Sequence, residues 1–180
     1  TNYTMRNLPI LFLSLLFSFQ AYSQKTDKST SWEVNDPHKD WKYKNFKLST
    51  NEGTWMNLDV SPDGKTIVFD LLGDIYSMPI TGGKAKNLRS GLAYEVQPRF
   101  SPNGEYISFT SDAEGGNNIW VMTKDGENAK SITKEKYRLL NNAVWTPDGL
   151  SVVARKHYTS TRSVGAGEMW QSPLSGSAGL

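Results

Sequence analysis

The sequence contains no cysteine and only two histidines among its 180 residues. The absence of cysteine excludes disulfide frameworks, thiolate zinc sites, thiol nucleophiles and a lipidated lipoprotein cysteine. Two histidines also argue against an all-histidine metal site. No charge of one sign dominates, because 20 Lys and Arg residues nearly balance 18 Asp and Glu residues. This balance provides no broad cationic field, so we expect no nucleic-acid partner.

A hydrophobic run long enough to cross a bilayer is also missing, since about 20 apolar residues are needed. The uncharged run from Leu8 to Phe19 has twelve residues, follows Arg6 and precedes the small-x-small site Ala21-Tyr22-Ser23. This layout predicts a helical signal peptide, which together with the upstream residues occupies 1–23; an uncleaved anchor is the alternative. We therefore expect an exported protein, periplasmic or secreted, with no stable membrane insertion after cleavage.

Aromatic residues are plentiful, and six Trp, seven Phe and eight Tyr supply enough apolar bulk for a core. A turn-forming tetrapeptide occurs three times, and its glycines are 40 and then 45 residues apart. Proline fixes φ, Asp or Asn accepts local backbone hydrogen bonds, and glycine tolerates a positive φ. We therefore expect Asp63, Asn103 and Asp148 to be structural. The three copies are Ser61-Pro62-Asp63-Gly64, Ser101-Pro102-Asn103-Gly104 and Thr146-Pro147-Asp148-Gly149.

The residues on both sides of each turn repeat with period two, which is the side-chain alternation of a β-strand. Each turn therefore predicts a hairpin with one apolar face. A third strand follows in every unit, and a short fourth strand follows in the first two. Four antiparallel strands in ~40 residues are typical of a β-propeller blade. The repeated positions are Met56, Leu58, Val60, Ile67 and Phe69; Val96, Pro98, Phe100, Ile107 and Phe109; Asn141, Ala143, Trp145, Val152 and Ala154; third strands at 74–76, 118–120 and 168–170; and fourth strands at 85–88 and 129–133.

These features predict an all-β fold in which antiparallel four-stranded blades form a partial β-propeller after the signal-peptide helix. Residues 24–50 are polar and predict a leader, with a strand near 43–49 that closes the last blade of a ring. Residues 51–180 hold about three blades, of which the last is incomplete. Since propellers use about four to eight blades, we expect the chain to be the front part of a longer protein; assembly from several copies is the alternative.

One loop accounts for the differences in repeat length. From the turn glycine to the aliphatic residue or Met of the third strand, the spacing grows from 11 to 15 to 20 residues. The added residues fall at 111–117 and 156–167. Because insertions in repeat folds collect on one face, which is often the binding face, we expect a peptide, small-molecule or envelope-protein ligand there.

The sequence contains no recognisable catalytic constellation. His38 and His157 lie far apart, lack a His-x-His neighbour and are expected to be structural or exposed. Gly165-Ala166-Gly167 lacks the third glycine and the strand-to-helix context of a dinucleotide site, and Gly83-Lys84 lacks the Ser or Thr of a phosphate loop. No Gly-x-Ser-x-Gly elbow occurs. We therefore predict no catalytic, cofactor-binding or metal-binding residue in this chain.

Two polar clusters have alternative interpretations. The first has four oxygen-bearing side chains in one loop, but its spacing matches no ordered calcium loop, so we expect a solvated hairpin tip. The second is a basic cluster beside the longest loop, which would either attract an acidic ligand or simply favour solubility. The residues are Asp112, Glu114, Asn117 and Asn118 in the first cluster, and Arg155, Lys156 and Arg162 in the second.

The turns, the third strands of the Asn118-Ile119-Trp120 type and the leader resemble the WD40-like propeller repeats of the TolB-like family. Thr146 in the third turn departs from the usual Ser. Residues 51–60, 139–145 and 162–170 are similar to the amino-terminal propeller of exported bacterial amidohydrolases. This resemblance implies a metal-dependent hydrolase barrel further along the chain. A divalent metal such as zinc would be held in that barrel. We expect no cofactor in this segment.

On this resemblance, the chain is a propeller module that binds or gates substrate, and its main partner is the remainder of its own chain. Two alternatives stay open at this stage. One is a non-enzymatic periplasmic interaction scaffold, and the other is the propeller of a prolyl-oligopeptidase-like peptidase.

Overall fold

The structure, a computed structural model, describes residues 34, 42, 44, 47–158, 167–176 and 179. All of them belong to the second of two compact units, 32–180. The predicted signal peptide, His38, Arg162 and Gly165-Ala166 lie outside the described residues. In the part of the chain that is described, no helix is long and apolar enough to cross a membrane.

Eleven strands in the described residues form three antiparallel sheets, and the strands of each sheet are neighbours in chain order. The predicted all-β class and antiparallel blades are confirmed. Blade 1 contains β1 (Leu58–Val60), β2 (Thr66–Leu71), β3 (Asp74–Pro79) and β4 (Lys86–Arg89). Blade 2 contains β5 (Glu95–Phe100), β6 (Tyr106–Ser111), β7 (Asn118–Thr123) and β8 (Lys130–Ser131). Blade 3 contains β9 (Leu140–Trp145), β10 (Ser151–His157) and β11 (Gly167–Pro173).

The repeated turns close the first hairpin of each blade through side-chain hydrogen bonds. In blade 1, Ser61 Oγ donates to Asp63 Oδ1 at 2.6 Å and accepts from the Thr66 amide at 2.9 Å. The Lys65 amide donates to the same Asp63 oxygen at 3.0 Å. Gly64 has φ 71°, the left-handed conformation that glycine adopts without steric cost.

The third turn keeps this geometry although it begins with threonine. Thr146 Oγ1 donates to Asp148 Oδ1 at 2.5 Å, and the Ser151 amide donates to Thr146 Oγ1 at 3.1 Å. The turn therefore requires a hydroxyl group and not serine itself. In blade 2, Asn103 Oδ1 accepts the corresponding bond from Ser101 at 2.7 Å, so a carbonyl oxygen suffices at the third position.

The blades pack face to face, and each internal blade surface is apolar. Val68 and Ile75 of blade 1 pack with Ile107, Phe109 and Met122 of blade 2. The next interface has the same construction, because residues on β7 of blade 2 pack against β9 and β10 of blade 3. Its buried members are Ile119, Val121, Ile132, Leu140, Ala143, Val152 and Ala154.

The prediction of one apolar face per hairpin is incomplete for blade 1. Ile67 and Phe69, the predicted face, are only half-buried, whereas Val68 and Asp70 on the opposite face are 0% and 3% exposed. The physical reason is that blade 2 covers the second face, and none of the described residues forms a blade against the first.

The predicted closing strand near 43–49 is not a strand where the structure describes it. Residues 44 and 47–49 have no regular secondary structure. The other positions of that stretch lie outside the described residues.

Candidate functional site

Loops from successive blades meet at one end of the sheets, which we call the connector face. They comprise the segment before β1 (51–56), the turns between second and third strands (72–73 and 112–117), the blade-to-blade connectors (90–94 and 132–139) and Tyr158. The Glu95 amide donates to Gly73 O at 2.9 Å, and the Tyr94 amide donates to Asp112 Oδ1 at 2.8 Å. The predicted insertion 111–117 thus lies against a blade connector.

The connector face exposes large apolar side chains. Among the large hydrophobic side chains that the structure describes, the three most exposed are Trp55 at 99%, Tyr137 at 86% and Leu72 at 81%, and all three lie on this face. Tyr94 and Tyr158 add two more exposed rings. Exposed apolar patches mark sites of interaction, and Tyr and Trp offer a large apolar area together with a polar group. The connector face is therefore the candidate binding surface.

The opposite end of the blades has a different character. It is formed by the hydroxyl-containing turns, where Asp63 and Asp148 accept hydrogen bonds from a side-chain hydroxyl and a backbone amide. These bonds lower the pKa of both carboxyl groups, with the hydroxyl bond as the main cause. Both carboxylates are thus held within their turns.

A half-buried ion pair lies at each junction between successive blades. Between blades 1 and 2, Arg89 Nη2 lies 2.8 Å from Glu95 Oε1, and Glu95 is 2% exposed. Between blades 2 and 3, Glu135 pairs with Lys156, whose ammonium also lies 3.9 Å from the centre of the Trp170 ring. The charges of the two pairs are reversed, because the following blade contributes the carboxylate of Glu95 to the first pair and the ammonium of Lys156 to the second.

This arrangement argues against the alternative in which Arg155, Lys156 and Arg162 attract an acidic ligand. Lys156 is 9% exposed and is neutralised by Glu135. Arg155 precedes it on β10, so its side chain points to the other face of the sheet. Arg162 lies outside the described residues. The sequence could not distinguish the two alternatives for Lys156, because Glu135 and Trp170 lie 21 and 14 residues away from it along the chain.

A second cluster, not predicted from the sequence, surrounds Glu168 at the start of β11. Tyr158 donates a hydrogen bond to one carboxylate oxygen, and Trp170 Nε1 donates to the other at 2.9 Å. Arg138 lies 3.7 Å from the carboxylate and 5.3 Å from the Tyr158 ring centre. The bond from Tyr158 is the main cause that lowers the pKa of Glu168, and it raises the pKa of Tyr158. Glu168 thus links Arg138 of the connector to Tyr158 after β10 and to Trp170 on β11.

A series of hydrogen bonds donated by backbone amides, which we call the amide relay, links successive blades. Asp70 accepts hydrogen bonds from the amide and side chain of Asn57, both at 2.9 Å, and from the amide of Gln97 in blade 2 at 2.7 Å. Gln97 Oε1 in turn accepts the amide of Asn142 in blade 3 at 2.8 Å. Gln97 and Asn142 have φ 60° and 54°, a cost that these interblade bonds offset. Asn57, Gln97 and Asn142 are spaced 40 and then 45 residues apart, as the turn glycines are. This repeat spacing was the sequence signal that could have identified them.

His157 occupies a structural position at the end of β10. Its Nε2 lies 3.1 Å from Asn141 Oδ1, and its amide donates to Leu139 O at 2.9 Å. The side chain is half-buried. The histidine therefore joins β10 to β9 and the adjoining connector.

The four polar residues of the 111–117 loop and its border do not converge on a common point. Asn118 is 2% exposed, and its Oδ1 accepts hydrogen bonds from Thr133 Oγ1 and the Glu135 amide at 2.8 and 2.7 Å. Asp112 is occupied by Tyr94, as described above. Asn117 accepts the Leu140 amide through its backbone oxygen at 3.2 Å. In the described ranges, no group of three or more His, Cys, Asp or Glu side chains is placed to hold a metal ion.

Comparison with curated proteins finds partial relatives. The uncharacterized protein Atu1656 of Agrobacterium fabrum is 37% identical over 81 residues, which cover 43% of this chain and 28% of the relative. Tricorn protease homolog 1 of Streptomyces coelicolor is 28% identical over 88 residues, covering 49% and 8%. The uncharacterized peptidase YuxL of Bacillus subtilis is 31% identical over 93 residues, covering 51% and 12%. The match therefore spans less than a third of the length of each of these relatives.

Solved structures share the fold. The structure of a putative TolB from Agrobacterium tumefaciens has a TM-score of 0.62 at 23% identity, covering 72% of this chain and 50% of that chain. TolB from Acinetobacter baumannii has a TM-score of 0.59 at 20% identity, covering 73% and 33%. The model of the TolB beta propeller domain family matches residues 42–173. Since this match extends over well more than half of the sequence and includes all three blades, the chain belongs to the TolB beta propeller domain family.

Proposed function

We propose that the chain is the propeller module of an exported, amidohydrolase-type, metal-dependent hydrolase, and that its connector face binds or gates the substrate. The similarity of residues 51–60 and 139–145 to exported amidohydrolases supports the hydrolase context, and the signal-peptide layout supports export. The concentration of exposed Trp55, Leu72 and Tyr137 on one face is the observation that carries the binding role.

The proposed binding surface combines a rigid backbone framework with exposed aromatic side chains that can contact a ligand. Backbone hydrogen bonds and half-buried ion pairs fix the connectors to neighbouring elements, so the backbone that carries Tyr94 and Tyr137 is positioned before a ligand arrives. Preorganisation reduces the entropy lost on binding. Aromatic anchors with two side-chain torsions add contact area at low entropic cost.

The described residues do not fit the divalent metal that an amidohydrolase uses. His157 is bonded to Asn141, and Asp112, Glu135 and Glu168 are each engaged by protein partners. We therefore assign metal binding and water activation to a hydrolase domain outside this segment. The propeller contributes substrate selection and no chemical step.

A peptidase propeller is the second candidate, favoured by a different observation. Two of the relatives described above are named as a protease homolog and a peptidase. The gene sequence beyond codon 180 separates the candidates: a His-x-His motif supports the amidohydrolase, a Gly-x-Ser-x-Gly elbow supports the peptidase, and a stop codon after further blades supports a non-enzymatic scaffold.

The binding role is tested with the protein encoded by the complete gene. Tyr137→Ala and Leu72→Ala on the connector face are compared with Leu150→Ala, a 66% exposed residue on the opposite end. We expect the first two variants to raise KM for large substrates while kcat on a small substrate and thermal stability stay unchanged. Equal effects of all three variants, or no effect of any, would contradict a binding or gating role of this face.

A further inference from the structure

The hairpin turn between β2 and β3 contains an unusual residue. Leu71 pairs with Asp74, so Leu72 and Gly73 form a two-residue loop, and their φ angles are 56° and 86°. A two-residue loop with two positive φ angles is a type I′ turn, in which Asn-Gly is strongly preferred. A bulky side chain in the left-handed region is sterically disfavoured. The turn itself therefore gives no reason for a leucine.

Packing does not explain Leu72 either. Its side chain is 81% exposed, so it adds little buried apolar area to the fold. Gln97 and Asn142 have the same left-handed backbone, but their amides bond to acceptors in the preceding blade. A residue that is unfavourable for both the backbone and the surface points to a role outside folding.

Leu72 lies beside a second exposed apolar side chain at the junction of blades 1 and 2. The Tyr94 ring packs against the turn, since a Cβ added at Gly73 would lie 3.0 Å from Tyr94 Cδ2. Tyr94 is 58% exposed, and Leu92 on the same connector is 50% exposed. We call Leu72, Leu92 and Tyr94 the junction cluster. Both flanking blades have all four strands in the structure, so the cluster lies between two complete blades.

The charges around the junction cluster are mainly negative. The three segments that meet there contain four acidic residues and one basic residue, and therefore carry a net charge of −3. The basic residue, Arg89, is already paired with Glu95. Asp112 Oδ1 accepts the Tyr94 amide at 2.8 Å, which places this carboxylate beside the cluster, and Glu114 in the same turn is exposed. A ligand with a positive charge next to an apolar group is complementary to such a surface. The segments are 71–74, 89–95 and 111–116.

We propose that the junction cluster is the subsite of the connector face that selects substrates carrying an apolar group next to a positive charge. This inference rests on the proposed function, because it assigns a substrate class to the same surface. Leu72 contacts the apolar group, and the carboxylates of Asp112 and Glu114 attract the cation. Leu72 is thus a specificity-determining residue, which accounts for its presence in a turn that favours asparagine.

The proposal is tested by saturation-transfer difference NMR on the protein encoded by the complete gene. The probes are 4-phenylbutylammonium, 4-phenylbutanol and 4-phenylbutyrate, which share one apolar group and differ in charge. We expect the ammonium compound to bind most tightly and the butyrate least tightly. Leu72→Asn should weaken binding of the ammonium compound about tenfold through the lost apolar contact, and its Tm should not fall because Asn suits the turn. Asp112→Asn keeps an acceptor for the Tyr94 amide and should weaken only the ammonium compound, by about threefold.

A matched control separates this subsite from general surface effects. Leu150→Asn replaces an exposed leucine at the opposite end of the blades and should leave all three affinities unchanged. A Leu72→Asn variant that loses stability but keeps its affinities would overturn the proposal and indicate a structural role. Equal affinities for the three compounds, all weakened by Leu72→Asn, would overturn the charge selection and leave the proposed function intact. Absence of binding would also overturn the proposal, and the KM of Tyr137→Ala would then decide the proposed function separately.

Discussion

Removal of the Asp70 carboxylate should weaken the interface between blades 1 and 2. In the Asp70→Ala variant, three N–H groups lose their acceptor: the amide and side chain of Asn57 and the amide of Gln97. Asp70 is 3% exposed, so water has little access to replace the carboxylate. The Gln97 amide is the critical group, because its left-handed backbone conformation directs it toward blade 1.

The size of the effect follows from the number of groups left unpaired. A buried donor that loses its partner costs about 1–3 kcal/mol, and a neutral hydrogen bond contributes about 1 kcal/mol. The two backbone amides together predict a loss of about 2–6 kcal/mol in the free energy of unfolding. Thr110 is the matched control, since it occupies the position of Asp70 in blade 2 and makes one neutral bond, to Gln97 Oε1 at 3.1 Å. Thr110→Ala should cost about 1 kcal/mol.

Urea unfolding followed by tryptophan fluorescence measures both variants. With a slope of about 2 kcal/mol/M, Asp70→Ala should lower the midpoint by about 1 to 3 M without changing the slope, and Thr110→Ala by about 0.5 M. If Asp70→Ala is no more destabilising than Thr110→Ala, the amide relay does not hold the blades together.

Three further outcomes are expected. Hydrogen bonds lower the pKa of Asp63 below its ordinary 3.8. The stabilising effect of Asp63 is therefore complete above that value and is lost as the pH falls through the folded-state pKa. The Asp63→Asn variant, which copies the native Asn103 turn, should lose stability less steeply in acid, and an acid-unfolding profile equal to that of the wild type would refute this. Glu135→Ala leaves the Lys156 ammonium buried without its partner and should destabilise by about 3–5 kcal/mol in urea titrations, whereas Lys156→Met should cost clearly less; equal losses would count against the ion pair. The chain alone should show no metal-dependent amide hydrolysis, and turnover that His157→Ala abolishes would contradict its structural role.

The sequence was sufficient to predict the strands because their causes are local. Alternating side chains and the hydroxyl-Pro-Asp/Asn-Gly turns specify each hairpin within about 15 residues, and Asp63, Asn103 and Asp148 were recognised as turn residues from chemistry alone. The short fourth strands were located to within two residues, at Lys86–Arg89 and Lys130–Ser131.

The features that depend on contacts between blades were not predictable in the same way. Lys156 appeared in the sequence as one of several surface cations, because its burial depends on Glu135 and Trp170 from other elements. The left-handed backbone of Gln97 and Asn142 is likewise stabilised by acceptors in the preceding blade. Alternation along one strand also cannot show which of its two faces a neighbouring blade will cover.

The reversed polarity of the two interblade ion pairs makes the repeats unequal as building blocks. If recombination deleted the second repeat and joined the first directly to the third, the guanidinium of Arg89 would approach the ammonium of Lys156 with neither Glu95 nor Glu135 between them. Two like charges in a poorly hydrated seam repel each other. We therefore expect a chain that lacks the second repeat to be destabilised at this junction by two like charges.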